Sequence, residues 1–331
     1  MTDLAEVTEI AEEVDKRLDQ SLQELEKRFG VGSMSTLDKR PPREYISTGL
    51  LSLDKIMGGG FPRGQIIEIF GPESGGKSTL ALETVREAQK LGMMCAYFDT
   101  EGSLNSDLAT LLGVDTSQLL APELWIGEHV IDATIELIKS ETVGLIVVDS
   151  IAGLVTAAES ESEAIDQHMG LHPKMIAKFM KYISLAAAYT KTTVLCLNQV
   201  RAKFGGYGNP EITPGGFALK HHANLRIRIG RGKPIMKGKV RVGQEVRASI
   251  HKNKIAAPWQ ETTYHLYYGK GSDKVNDIME TATSSGVIER RGGWYYYKAE
   301  KFQGAPAVVN YLKKNADALS DIKRAVMGED I

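Results

Sequence analysis

Along the first thirty residues, Leu4, Val7, Ala11, Val14, Leu18, Leu25 and Phe29 recur at steps of three, four or seven. That spacing predicts an amphipathic helix with a narrow apolar stripe. Nine Asp/Glu and four Lys/Arg occupy its remaining faces. Such a helix either covers its own domain or docks on a neighbouring subunit. The stretch "GVGSMSTLDKRPPREY" that follows reads as a linker by its Gly, Ser and Pro content.

From about Gln65 the pattern changes to short apolar runs separated by helical segments. "QIIEIFG", "MMCAYFD", "GLIVVDS" and "TVLCLNQV" are too apolar to have one wet face. Strands buried on both faces predict a mainly parallel sheet covered by helices, an α/β fold. After Leu225 the runs "LRIRIGR", "EVRASIHKNK" and "TTYHLYY" alternate apolar and polar residues, as half-exposed antiparallel strands do, and are expected to extend the same sheet. From about Ser272 the chain reads as a helix, a hairpin around Gly292–Gly293 carrying "WYYYK", and two further helices. The expected division is therefore an N-terminal helix over 1–33, a core over 34–271 and a small α+β domain over 272–331. Trp259 and Trp294 are expected to anchor cores.

Composition adds constraints. Of 331 residues, 42% are hydrophobic and 25% charged, which is globular composition and enough chain for a large core. The 40 basic and 42 acidic residues leave a net charge of -2, so a nucleic-acid site has to be a local concentration of charge. Cys95 and Cys196 lie far apart in apolar runs, with no CxxC spacing for zinc or a redox pair. They fit a reducing cytoplasm. No apolar run approaches the roughly eighteen residues a membrane span needs, so the reading is of a soluble protein without a membrane partner.

The strongest chemical signal is "GPESGGKS". Gly71, Pro72, Glu73, Ser74, Gly75, Gly76, Lys77 and Ser78, followed by Thr79, match G-x-x-x-x-G-K-[ST] between a predicted strand and helix. Inward-pointing backbone NH groups at a helix N-terminus cradle phosphates; Lys77 reaches the β- and γ-phosphates of ATP and Ser78 ligates Mg2+. Asp149 closes the strand "LIVVDS" and is the candidate magnesium-linked acid, through water; the bland alternative is a helix cap. Hydrolysis also needs a carboxylate to position or deprotonate water. "YFDTEG" offers Asp99 and Glu101, with Glu101 the candidate base and Asp99 its structural neighbour. Ligands sit at the carboxyl ends of parallel strands, so Asn198 and Gln199, ending "TVLCLNQ", are both expected beside the γ-phosphate.

Beyond Gln199, "VRAKFGGYGNPEITPGG" cannot pack into a core. Between Arg201 and Lys254 there are thirteen Lys/Arg against Glu211 and Glu245. A glycine-rich loop with a basic surround is what binding a phosphate backbone requires. For the strand arginines Arg226, Arg228 and Arg231, a plain solvated face is as good a reading.

With these residues in view, the chain resembles the bacterial RecA recombinase family, phage-encoded members included. The resemblance runs from "ISTGLLSLDKIMGGGFPRGQIIEIFGPESGGKSTL" through "IVVDSIAGL", "DQHMGL", "NQVRAKFGGYGNPEITPGGFALK" and "KNKIAAPW" to "WYYYKAEKFQGAPA". It implies a RecA-type P-loop ATPase that forms helical filaments on single-stranded DNA and catalyses homologous pairing and strand exchange with duplex DNA. It further implies Glu101 as the catalytic carboxylate, Gln199 as the γ-phosphate sensor, and DNA-binding loops over about 159–174 and 199–216. Lys174, Arg201, Lys203, Tyr207, Gly215 and Gly216 in these loops, and Lys181 on the helix after the first, would contact DNA. Lys252 and Lys254 would reach the ATP of an adjacent subunit, and Tyr268 with Gly269 would contact adenine across that interface. Loading mediators, a single-strand binding protein and a repressor are the further partners it suggests. Leu108 falls where the family commonly stacks an aromatic on adenine. His221 and His222 stand where the family has an interface aromatic pair.

A ring-forming motor or regulatory ATPase built on the same core is the alternative reading. Lys174, Lys178 and Lys181 share one helix face by spacing, which serves either DNA phosphates or solvent. The basic residues of the C-terminal segment, Lys298, Lys301, Lys313, Lys314, Lys323 and Arg324, likewise serve either duplex DNA or solubility.

Overall fold

Side chains alternate between the two faces of a strand, so a run that is apolar at every position needs cover on both. The runs Ile66–Phe70, interrupted by Glu68, and Leu145–Val148 impose that requirement on this chain. The computed structural model describes residues 4–30, 38, 41–161, 170–202 and 211–328. They belong to two compact units, Met1–Arg43 and Glu44–Ile331. The first holds α1 (Leu4–Phe29), the helix expected from the N-terminal stripe, on which Val14, Leu18 and Phe29 are exposed.

In the second unit, β1 (Tyr45–Ile46) pairs antiparallel with β2 (Phe61–Pro62) around α2 (Leu51–Met57). Strands and helices then alternate: β3 (Ile66–Gly71), α3 (Lys77–Lys90), β4 (Met94–Asp99), α4 (Ser106–Leu111), β5 (Leu119–Leu120), α5 (Gly127–Lys139), β6 (Val143–Asp149), α6 (Ala157–Glu161), α7 (Leu171–Thr190) and β7 (Thr193–Gln199). The short β8 (Arg201–Ala202) and β9 (Glu211–Ile212) pair with each other, and α8 (Gly216–His222) follows. Next come β10 (Leu225–Lys237), β11 (Val240–Asn253), β12 (Glu261–Tyr267) and β13 (Gly271–Ser272).

Among the described residues nine strands form one sheet, in the order β13-β12-β11-β10-β3-β7-β6-β4-β5. It is parallel from β10 to β5 and antiparallel from β10 to β13, so the alternating runs do extend the apolar ones. Alternation divides the core between its faces. Ile67, Ile69, Val147 and Leu195 join Leu80 and Val85 of α3 on one side; Ile66, Val148 and Cys196 join Phe179 and Met180 of α7 on the other.

The C-terminal segment comprises α9 (Lys274–Ser284), β14 (Glu289–Arg291), β15 (Trp294–Tyr297), β16 (Glu300–Gln303), α10 (Ala305–Lys314) and α11 (Ala316–Met327). Its hairpin turns at Gly292–Gly293 as expected, and β16 adds a third strand. Leu51 of α2 packs into its apolar cluster with Ile278, Leu312 and Ile322.

The two tryptophans are not core anchors. Trp259 is 71% exposed in the turn before β12, and Trp294 is 39% exposed. On β15 the buried positions go to Tyr295 and Tyr297, which leaves Trp294 on the outer side beneath the Lys301 ammonium, 4.2 Å from the ring centre. No described helix is long and apolar enough to cross a membrane.

Candidate nucleotide site and its link to the second loop

The site lies where β3, β4, β6 and β7 end at one edge of the parallel sheet, the edge where such folds hold ligands. The loop after β3 turns into α3 at Gly76, whose φ of 99° is left-handed and suits glycine. At Gly71 a Cβ would lie 1.9 Å from Ile229 O, so glycine is what lets β10 run alongside the loop. Lys77 is 8% exposed, and its Nζ donates to the carbonyls of Gly71 at 3.1 Å and Pro72 at 2.8 Å. Burial pulls the Lys77 pKa down, and the carboxylates of Asp149, Glu101 and Glu73 work against that.

Asp149 is 4% exposed; its Oδ2 accepts from Ser78 Oγ at 2.7 Å and from Tyr97 OH at 2.6 Å. Burial raises the carboxyl pKa, while the two hydroxyl bonds favour the ionised form. The same burial, with Asp149 alongside, holds the Tyr97 hydroxyl protonated far above neutral pH. A hydroxyl and a carboxylate beside a phosphate loop are hard oxygen donors that fit Mg2+, which is bound by one or two carboxylates together with phosphate oxygens. Among the described residues no cluster of three or more His, Cys, Asp or Glu could hold a metal. An ion at Ser78 and Asp149 therefore depends on oxygens brought by substrate and water.

Glu101 and Gln199 meet directly. Glu101 Oε1 accepts from Gln199 Nε2 at 2.8 Å and from Ser150 Oγ. Thr100 Oγ1 donates to Ser150 O at 2.8 Å and accepts from Ser150 N, locking the ends of β4 and β6 together. Asp99 accepts from the backbone NH of Glu101 at 3.1 Å and of Leu104 at 2.6 Å, so it shapes the turn that carries Glu101.

Asn198 is not beside Gln199 at the phosphate edge. It is fully buried, and its Nδ2 donates to Glu68 Oε1 at 3.1 Å and to Pro214 O at 3.0 Å. Adjacent strand residues face opposite sides of the sheet, so only one of the two amides can face Glu101. The other holds the far end of the second loop. Glu68 in turn accepts from Arg226 Nε at 2.5 Å.

The proposed DNA contacts are only partly placed. Lys174, Lys178 and Lys181 are exposed on α7. Arg201 is exposed on β8, paired in register with Ile212. Gly215 and Gly216 start α8 with φ of 89° and 69°, and a Cβ on either would meet Ile151 or Pro173 at 3.3 Å. Lys203 and Tyr207 lie outside the described residues, as does 162–169 of the first loop. Of the strand arginines, Arg226 pairs with Glu68, Arg228 is bidentate with Glu211 and Arg247 pairs with Glu261, which takes part of the basic surround out of play.

Lys252 and Lys254 are not among the residues lining the cavity of their own phosphate loop. Lys252 is in register with Arg226, which pairs with Glu68, three residues before Gly71 on β3. Its Nζ donates to Lys220 O and His221 O, both at 2.8 Å, where α8 ends. Tyr268 differs from expectation: it lines the same cavity as the phosphate loop of its own chain, together with Arg231, Arg241, Gln244 and Leu266. Sequence reading gave no role to Arg241, Gln244, Ser150 or Tyr97. Tyr97 was findable, being two residues before Asp99 in an apolar strand with an unexplained hydroxyl.

Two family models cover most of the chain: the RecA N-terminal domain matches residues 16–273 and the RecA C-terminal domain residues 276–329. Protein RecA of Thermus aquaticus is 40% identical over 318 residues, 94% of each chain. Protein RecA of Mesoplasma florum is 40% identical over 308 residues, 92% of each chain. A crystal structure of the RadB recombinase superposes with a TM-score of 0.52 at 22% identity, covering 69% of this chain and 98% of that one, a likeness of fold. With the phosphate loop, the acidic strand ends and both domains accounted for, the chain belongs to the RecA family of DNA-binding ATPases of recombination and repair.

Proposed function

We propose that the chain is an ATP-dependent recombinase that forms helical filaments on single-stranded DNA and uses them for homologous pairing and strand exchange with duplex DNA, with DNA-stimulated ATP hydrolysis. The observation that carries this reading is the 2.8 Å bond between Gln199 Nε2 and Glu101 Oε1. It joins the carboxylate at the hydrolytic site to the residue that opens the second loop.

In this reading Lys77 and the loop amides hold the triphosphate of ATP. Mg2+, held by Ser78 and by Asp149 through water, would neutralise phosphate charge. Glu101 orients a water and takes its proton as the water oxygen attacks the γ-phosphorus and the bond to ADP breaks. Gln199 exchanges its bond to Glu101 for one to the γ-phosphate, freeing Glu101 for the water and shifting the start of the loop. Lys174, Lys181, Arg201, Lys203 and Tyr207 contact DNA backbone and bases, with Gly215 and Gly216 at the loop's return. Because base pairing between DNA strands selects the sequence, these contacts need only follow the backbone.

Lys252 and Lys254 complete the ATP site of an adjacent subunit, so that nucleotide stabilises the filament. The three-part division 1–33, 34–271 and 272–331, with the N-terminal helix packing between subunits, belongs to this proposal, as do a cytoplasmic location and partners that load or respond to the filament. ATP hydrolysis with and without single-stranded DNA, followed by negative-stain imaging of the same mixture, tests it. Stimulation by DNA with helical filaments is expected. DNA-independent turnover with closed rings alone would overturn it.

A further inference from the structure

The phosphate-loop cavity of about 560 Å³ is lined, besides the loop itself, by residues that the phosphate chemistry does not use, Leu266, Tyr268 and Arg241 among them. Tyr268 is 49% exposed, and the Arg241 guanidinium carbon lies 5.8 Å from the centre of its ring. Arg241 Nη2 donates to Gln244 Oε1 at 2.9 Å, and Gln244 Nε2 donates to Ser74 O at 3.0 Å, at the tip of the phosphate loop. Gln244 is 1% exposed, and Ser74 carries a left-handed φ of 54°. Glycine at 243 makes this possible: a Cβ there would lie 2.4 Å from Leu266 O, so its absence lets β11 close against β12 and brings Gln244 under the loop.

We infer that Arg241 is a base-contacting residue of the nucleotide site, presenting its planar guanidinium to the aromatic face of a purine beside Tyr268. A guanidinium stacks on aromatic faces and keeps its charge at every working pH. Within about 6 Å of a ring the attraction is already favourable, and a bound base extends it to a second aromatic surface. The Gln244 bridge fixes the guanidinium relative to Ser74, so base and phosphate ends are held in one register. The inference rests on the reading of this cavity as an ATP site.

The test compares ATP with inorganic tripolyphosphate, which carries the phosphates without the base. Dissociation constants are measured for the full chain, Arg241→Ala and Lys77→Ala. Arg241→Ala is expected to weaken ATP about five-fold more than it weakens tripolyphosphate, which loses only the charge Arg241 brings to the shared cavity. Lys77→Ala is expected to weaken both. Unchanged ATP binding in Arg241→Ala, or an equal loss of ATP and tripolyphosphate, would overturn the base contact alone. If Lys77→Ala leaves ATP binding intact, the nucleotide reading of the cavity fails, and the base contact with it. Arg241 is exposed on β11, so the alanine variant folds, and an unchanged melting temperature serves as the check.

Discussion

Replacing Asn198 with alanine should loosen the second loop without touching any group that faces the nucleotide. Asn198 is wholly buried, so water cannot replace what its amide provides. Three hydrogen bonds disappear: to the Glu68 carboxylate at 3.1 Å, to Pro214 O at 3.0 Å, and from Gln199 N to Asn198 Oδ1 at 3.0 Å. A bond to a charged group contributes roughly 1.5–3 kcal/mol and a neutral one about 1 kcal/mol, and these terms do not add fully. A net loss of about 3 kcal/mol follows, a large part of the roughly 5–15 kcal/mol that holds a typical domain. Asn198→Asp should be worse, because a second carboxylate would face Glu68. Urea unfolding gives the stability, and hydrogen exchange at Glu211–Gly216 reports the loop's return. Faster exchange there, with basal ATP hydrolysis retained and its stimulation by DNA lost, is expected. A stability loss under about 1 kcal/mol, or unchanged exchange, would refute the view that Asn198 anchors the loop.

Glu101→Gln should abolish turnover while leaving ATP-dependent DNA binding intact, because the amide cannot take a proton from water; loss of DNA binding, read by fluorescence anisotropy, would count against Glu101 as base. Glu68→Ala should cost about 3–5 kcal/mol by leaving Arg226 unpaired, and Arg226→Ala made alongside should cost less than the sum of the two single changes in urea melts. Burial pushes the carboxyls of Asp54 and Asp277 up to about 6 from an ordinary 3.8. Their contribution to stability is therefore complete below pH 3.8 and lost as pH rises through 6, about 3 kcal/mol at most for each. Asp277→Asn should flatten the fall in stability between pH 4.5 and 7 relative to the parent chain, and an unchanged slope would refute the shift.

What could be read from the sequence is what short stretches encode by themselves. The phosphate loop is contiguous, with its chemistry set by backbone and one lysine, and the apolar runs state their own burial. Asn198 was misplaced although the information was present: strand alternation sends neighbours to opposite faces, and only Gln199 could face Glu101. Trp259 and Trp294 were misread because size favours burial on average, whereas register decides each case. At Trp294 the register gave the inner face to Tyr295 and Tyr297. The link from Arg241 through Gln244 to the phosphate loop was beyond reach, since Gln244 and Ser74 are 170 residues apart and meet only because β11 and β12 fold back over the loop.

The two amides that end β7 explain why the second loop starts where it does. Gln199 contacts Glu101 on one face, and Asn198 reaches Pro214 through the other, so the outgoing and returning ends of the loop are held by adjacent residues on one buried strand. The β8–β9 pair, Arg201 with Ile212 and Ala202 with Glu211, lies between those anchors and the loop itself. A shift of Gln199 toward a phosphate would pull the outgoing end, while Asn198, fixed by the Glu68 carboxylate, keeps the returning end still. Differential motion across a two-residue ladder changes the loop's base without unfolding the strand behind it. That arrangement needs a buried charge at Glu68, which a purely apolar strand could not supply, and this gives a physical reason for the one acidic residue in the middle of β3.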